Sequence, residues 1–302
     1  MPSSFFGTAT VLGVGVIIES DFAGALEAAL EIFPNCGDRG MDAPAPRVYL
    51  VITADHDTRA STRENRVCGR QLHVAEDGLR VLADGERGCA NCSFSVDVIG
   101  GDLFREAVRT AALFLATQQG RIPVHASAVM IGDCAFVLAG QSGSGKSTLA
   151  LAADRSGLPV LAEDTVFVQL DPAFRIWGLA DYIHVFERDA PPGKETRTRL
   201  RSGRLKRALP IGEARHSADK AALCVLSRGN GAILDPLTSE EAVRTLLRKP
   251  EPGYDLFAAR MGEAIRAIAS GGCWRLTLSH DPGAAIALLI DAFGTGAGQR
   301  FG

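Results

Sequence analysis

The chain has 302 residues, enough for about two domains of ~150 residues each. Hydrophobic residues make up 46% of it, so it can bury a sizeable core and is not a disordered protein. The 32 basic and 35 acidic side chains leave a net charge of −3, which argues against general nucleic-acid binding because phosphate backbones attract a basic excess.

Apolar runs such as 111–116 and 284–290 are far shorter than the ~20 residues that a membrane helix needs. The start, Met1 to Ser4, lacks the charged and apolar stretches of a secretory signal. We therefore expect a cytoplasmic protein without membrane partners.

The seven cysteines are an odd, scattered set that suits reduced thiols. Cys89 and Cys92 form one Cys-x-x-Cys motif. A zinc site would need a second ligand pair, and a redox motif would need a strand before it and a helix after it. Since neither is evident in the sequence, we interpret the pair as ordinary thiols near a turn.

Residues 1–100 read as a β-rich N-terminal region. Residues 8–18, 48–53 and 93–99 have the composition of strands, and 71–74 with 79–82 predict a hairpin around Asp77-Gly78. A helix is predicted from 102 to 118, since apolar residues recur there at helical spacing and Gly120 follows. We place a second domain at 101–302.

The second region alternates strands and helices, which predicts an α/β fold class. Residues 188–220 are polar and are interpreted as a mobile loop. The predicted strands are 124–131, 134–139, 160–162, 174–177, 183–186, 222–226 and 274–278, and the predicted helices are 146–155, 239–248, 255–269 and 283–293.

The strongest motif is a glycine loop, residues 140–147, that fits the pattern G-x-x-x-x-G-K-S. It follows an apolar strand and opens a helix, the context in which backbone N–H groups cradle phosphates. In this pattern Lys146 reaches the β- and γ-phosphates, and the hydroxyl of Ser147 ligates Mg²⁺. The motif predicts that ATP or a similar polyphosphate binds at Gly140, Ser142, Gly143, Ser144, Gly145, Lys146, Ser147 and Thr148.

Two acids, Glu163 and Asp164, end the strand 160–162, and Asp164 lies only 18 residues after Lys146. In a doubly wound layout that strand end lies beside the phosphate loop. So short a separation favours a compact kinase whose acids support a metal-bound phosphate. The alternative is that the acids merely end a strand.

His125 lies in an apolar strand 21 residues before Lys146. A histidine in such a strand is more often a hydrogen-bonded core residue than a catalyst. Here the next strand could place it beside Glu163 and Asp164, where it would tune a carboxylate.

The segment 124–166 resembles the catalytic core of the bacterial HPr kinase/phosphorylase family, whose fold is related to ATP-type phosphoenolpyruvate carboxykinase. Three parts carry the resemblance: the strand His-Ala-Ser-Ala-Val, the loop Gly-x-Ser-Gly-x-Gly-Lys-Ser and the strand Leu-Ala-Glu-Asp. The resemblance implies an ATP- and Mg²⁺-dependent serine kinase acting on a protein or peptide. It implies that His125 and Lys146 are active-site residues, that Ser147 and Asp164 hold magnesium, and that Asp164 accepts the proton of the substrate serine.

The chain departs from that family in several places. Glu163 stands where the family usually has aspartate, and we count it with the catalytic acids. The nearest match to the family's second metal-binding glutamate is Glu187, with Asp189 as an alternative. The arginine signature that helps to recognise HPr is not recognisable, and the N-terminal region does not resemble the family's regulatory domain. We therefore expect a substrate other than HPr, and tailoring of ribosomal peptides is one candidate setting.

Residues 188–207 hold eight basic side chains. They are either a solvated loop or a lid over phosphates or an acidic peptide. They lack the aromatic residues with which single-stranded nucleic acid would stack, so no nucleic-acid partner is expected. Two other functions stay open, a small-molecule kinase and a non-catalytic nucleotide sensor, and so does assembly into a homo-oligomer.

Overall fold

The computed structural model describes residues 4–33, 46–55, 64–179, 181–186, 197–201, 204–248 and 254–294. The chain is a mixed α/β protein with several sheets. It divides into two compact units, residues 1–121 and 122–302, rather than after residue 100. The difference is the helix predicted at 102–118, which packs on strands of the first unit.

The first unit contains a seven-stranded sheet in the order β1-β2-β3-β7-β6-β5-β4. Strands β2, β3 and β7 run parallel, and the other neighbours pair antiparallel. The strands are β1 (Phe5–Val11), β2 (Val14–Ser20), β3 (Arg47–Ala54), β4 (Glu64–Cys68), β5 (Gln71–Glu76), β6 (Leu79–Asp84) and β7 (Cys89–Phe94).

The hairpin expected around Asp77-Gly78 is present as β5 and β6, with Gly78 at φ +80°. The single strand expected over 8–18 is instead a second hairpin. Leu12 and Gly13 both have positive φ, 51° and 69°, which is the backbone of a two-residue hairpin turn. The strand expected over 93–99 begins earlier, at Cys89, and gives way to a short 3₁₀ helix at Val96–Val98.

Two α-helices lie in the described part of the first unit. Helix α1 (Ala23–Leu30) was not predicted from the sequence. Helix α2 (Asp102–Gln118) has the bounds predicted and buries the apolar stripe that includes Phe104, Val108 and Leu115. The neighbouring strand β7 carries Cys89 and Cys92. Burial raises the pKa of the Cys92 thiol to about 12, so this thiol is unreactive at neutral pH.

The second unit contains a nine-stranded sheet in the order β16-β12-β11-β8-β9-β17-β19-β18, with β10 paired to β8. Strands β9, β17 and β19 run parallel at its centre. The strands are β8 (Ile122–Ile131), β9 (Cys134–Ala139), β10 (Val160–Ala162), β11 (Thr165–Gln169), β12 (Arg175–Trp177), β16 (Ser217–Ala218), β17 (Lys220–Arg228), β18 (Ile233–Pro236) and β19 (Cys273–Leu278).

The interpretation of 188–220 as one mobile loop is wrong where the structure describes it. Strands β14 (Arg197–Arg201) and β15 (Arg204–Pro210) pair antiparallel, and β15 also pairs with β13 (Tyr182–Phe186) to make a three-stranded sheet. Residues 197–201 alternate arginine with Thr198 and Leu200, which is the period of a strand. The basic composition hid that period. Residues 188–196 lie outside the described residues.

Helices cover both faces of the nine-stranded sheet, and each face has its own buried core. Helices α3 (Lys146–Arg155) and α6 (Pro282–Phe293) cover one face, while α4 (Ser239–Leu247) and α5 (Ala258–Ala269) cover the other. A capping box of Thr238 and Glu241 starts α4. No helix in the described part of the chain is both long and apolar enough to cross a membrane.

The turn after β12 depends on a close backbone approach. Gly178 donates from its N–H to the carbonyl of His216, and a Cβ atom at Gly178 would overlap the carbonyl group of Leu161 in β10. Any side chain there must push β10 away, and β10 leads directly into Glu163 and Asp164.

We expect Gly178→Ala to lower the free energy of unfolding by at least ~2 kcal/mol, because the added methyl group overpacks the backbone. Gly231→Ala is the matched control, since a Cβ atom there meets nothing within 4 Å. Urea unfolding of both variants measures the difference, and equal stability would contradict the close approach.

Candidate functional site

The glycine loop joins β9 to α3 at the carboxyl edge of the parallel strands. Gly143 and Gly145 have φ of 81° and 112°, in the left-handed region where a side chain is strained. Gly145 is the N-cap residue of α3, so the first N–H groups of that helix face the hollow of the loop. A loop of this shape is a ready-made anion site.

Lys146 is the first residue of α3 and is only 6% exposed. Its Nζ donates to the carbonyl oxygens of Gly140 at 2.8 Å and Gln141 at 3.2 Å. The ammonium group therefore lies along the first residues of the loop.

Ser147 and Glu163 meet directly. The Ser147 hydroxyl donates to Glu163 Oε1 at 2.7 Å, and Glu163 Oε2 lies 3.2 Å from Nδ1 of His184 in β13. The Glu163 side chain is 5% exposed and that of His184 13%. A buried carboxylate with partners at both oxygens is fixed in orientation. Hydroxyl and carboxylate oxygens are the ligands that Mg²⁺ prefers, so this pair could hold that ion.

His125 and Asp164 form a second pair. In the register of β8 with β11, His125 lies opposite Thr165, the residue after Asp164. Its Nδ1 is 3.7 Å from Asp164 Oδ1, an ion-pair distance when the imidazole is protonated. This pair could accept or relay a proton.

Glu163 and Asp164, which lie between β10 and β11, are hydrogen-bonded to β8 through their backbone carbonyl groups. The N–H of Ala126 donates to the carbonyl of Asp164 at 3.1 Å, and the buried hydroxyl of Ser127 donates to the carbonyl of Glu163. These bonds fix the peptide between β10 and β11, so the two carboxylates cannot exchange positions.

Three residues at this edge had no role in the sequence-based prediction. His184 contacts Glu163; Tyr254 contacts the ring of His125 at 5.2 Å between centroids and shares a hydrogen bond with Thr165. Arg228, at the end of β17, donates to the carbonyl of Gly143 at 3.4 Å. Only Arg228 had a signal, because it ends a strand parallel to β9 and such ends meet at one edge.

A cavity of about 300 Å³ opens beside the loop. It is lined by His125, Gly140, Gln141, Ser144 and Tyr254, by the end of β17, and by residues of α4 and α5. It lies at the same edge as the two pairs.

The structure brings His125, Lys146, Ser147, Glu163 and Asp164 to one edge. Ser142, Gly143 and Thr148 are exposed there. Ser147 contacts Glu163, whereas Asp164 Oδ1 lies 3.7 Å from Nδ1 of His125. Glu187 and Asp189 lie outside the described residues, and within the described ranges no group of three or more His, Cys, Asp and Glu side chains could hold a metal ion.

No protein-family model matches this chain, and no curated protein matches it. Among solved structures it is similar to the Hpr(Ser) kinase/phosphatase from Coxiella burnetii, with 12% identity and a TM-score of 0.32. That similarity covers 56% of this chain and 94% of the other. So low a TM-score and identity carry no argument about function, so the function is inferred from the residues of the site.

Proposed function

We propose that this chain is an ATP-dependent serine kinase that transfers the γ-phosphoryl group to a hydroxyl of a protein or peptide. One observation carries the proposal: a single sheet edge holds a glycine loop with its lysine, a hydroxyl–carboxylate pair and a separate carboxylate–imidazole pair. Phosphoryl transfer needs these three parts, namely a phosphate cradle, a metal site and a base. The sequence resemblance over 124–166 supports a serine as the acceptor.

The loop amides and the Lys146 ammonium would hold the phosphates of ATP. The oxygens of Ser147 and Glu163 fit Mg²⁺, since both are hard donors that already lie 2.7 Å apart. A bound ion would neutralise charge on the phosphate oxygens. His184 keeps the Glu163 carboxylate turned towards Ser147.

Asp164 would accept the proton of the acceptor hydroxyl. As the hydroxyl oxygen bonds to the γ-phosphorus, the bond from that phosphorus to the β–γ bridging oxygen breaks, and ADP leaves. His125, 3.7 Å from Asp164, orients this carboxylate. Positioning and charge neutralisation supply most of the rate in such reactions.

We expect Lys146→Ala to lower kcat/KM for ATP by at least ~100-fold, because it removes a cation from the transferring phosphate. The control is Lys220→Ala. Lys220 is exposed and bonded to Asp133 at the opposite end of the sheet, so its loss should leave the rate unchanged. Labelled ATP with peptide pools and with metabolite pools provides the assay, and normal turnover by Lys146→Ala would refute the assignment.

We expect Asp164→Asn to bind ATP normally and to lose ~10²–10⁴-fold in kcat, the usual contribution of a general base. Titration calorimetry with ATP and single-turnover phosphorylation separate the two effects. Asp219→Asn, a change at an exposed aspartate, is the control. Retained activity in Asp164→Asn would remove this residue as the base.

Glu163→Gln and Asp164→Asn together decide which acid holds the metal. We expect Glu163→Gln to weaken Mn²⁺ binding in the presence of ATP by at least about tenfold, since a fixed ligand is lost. Asp164→Asn should change it less. Electron paramagnetic resonance of bound Mn²⁺ measures both affinities, and a larger loss in Asp164→Asn would assign the ion to that residue instead.

A further inference from the structure

The cavity beside the loop contains space that the phosphate cradle and the acids do not use. Its walls include the apolar side chains of Val124, Val225, Leu246, Met261 and Ile265. Val124, Val225, Met261 and Ile265 are at most 5% exposed, so the packed cores of the second unit form these walls. The cavity therefore has a fixed, apolar shape.

The cavity lies beside the place where the γ-phosphate of ATP would bind. Gly140 and Gln141 line it, and they are the two residues whose carbonyl oxygens accept from Lys146 Nζ. Since this lysine reaches the β- and γ-phosphates, the cavity opens at the end of the loop where the γ-phosphate would lie. His125, the partner of the proposed base, lines the same space. What occupies the cavity would thus lie next to the acceptor hydroxyl.

The lining is mostly apolar or neutral, and its one permanent charge, on Arg228, donates to the carbonyl of Gly143 in the glycine loop. Among the described lining residues there is no Asp, Glu or Lys, and the ionisable ones are His125, Arg228 and Tyr254. The volume of about 300 Å³ is at the lower end of the ~300–1,000 Å³ found for ligand pockets. A space of this size and lining accommodates a large apolar side chain.

We propose that this cavity binds an apolar side chain of the substrate next to the acceptor serine. This inference rests on the proposed kinase function and gives it a substrate class: peptides in which leucine, isoleucine or methionine neighbours the phosphorylated serine. Burial of such a side chain raises kcat/KM by about 10–100-fold over glycine at the same position.

The test is a set of peptides with one serine, in which each neighbouring position in turn carries leucine, methionine, glycine, aspartate or lysine. With ATP and Mg²⁺, we expect one position at which leucine or methionine exceeds glycine and both charged residues by at least about tenfold. Equal rates at every position overturn the cavity inference alone. Transfer to no peptide overturns the proposed function and the inference together.

Variants at the mouth of the cavity locate the preference. Thr245 is exposed and lines the cavity, so Thr245→Trp should fill it and lower kcat/KM for the leucine peptide at least about tenfold, towards the glycine value. Arg244→Trp adds the same bulk outside the lining and should leave the rate unchanged. Thr245→Val controls for the hydroxyl, which donates to the carbonyl of Glu241 at 2.7 Å.

A second variant tests the apolar wall rather than stability. Leu246→Ala removes part of the apolar wall and should lower the ratio of kcat/KM for the leucine peptide to that for the glycine peptide, a ratio that a smaller folded fraction leaves unchanged. An unchanged preference in Leu246→Ala overturns the inference. The inference is also overturned if Thr245→Trp lowers the affinity for ATP as much as it lowers kcat/KM for the leucine peptide, since the cavity would then hold part of the nucleotide.

Discussion

The site depends on one strand, β8, that pairs antiparallel with β9 on one side and with β10 and β11 on the other. On one side Ala126 lies opposite Ala139, the last residue before the glycine loop, and on the other His125 lies opposite Thr165. Because the chain folds back on both sides of β8, three segments far apart in sequence end at one edge of the sheet. Backbone pairing, rather than contacts between the side chains, determines the distance from the loop to the acids.

Neighbouring acids take different environments at this edge. Glu163 is buried between Ser147 and His184, whereas the side chain of Asp164 is 34% exposed and faces His125. Two carboxylates with different surroundings can serve two purposes, one holding charge and the other moving a proton. The family resemblance implies magnesium at Asp164, whereas the carboxylate that contacts the Ser147 hydroxyl is that of Glu163, because a pattern of residue types does not show which way each side chain turns.

Local signals predicted the local structure well. The hairpin at Asp77-Gly78 and helix α2 follow from turn residues and helical periodicity, and the glycine loop lies between a strand and a helix as its motif requires. Sequence could not reveal His184 or Tyr254 at the site, because long-range packing alone brings them there. The β14–β15 pair was missed because an arginine-rich strand has the composition of a loop.

The buried Lys146 ammonium is already satisfied by two peptide oxygens. An incoming molecule that binds this ammonium group must compete with these carbonyl oxygens for its donors. A multiply charged anion can do so, because its attraction for a desolvated cation exceeds that of a carbonyl dipole, whereas a neutral hydroxyl cannot. A buried ammonium group at this position therefore favours anionic ligands over neutral ones, whatever the rest of the ligand contains.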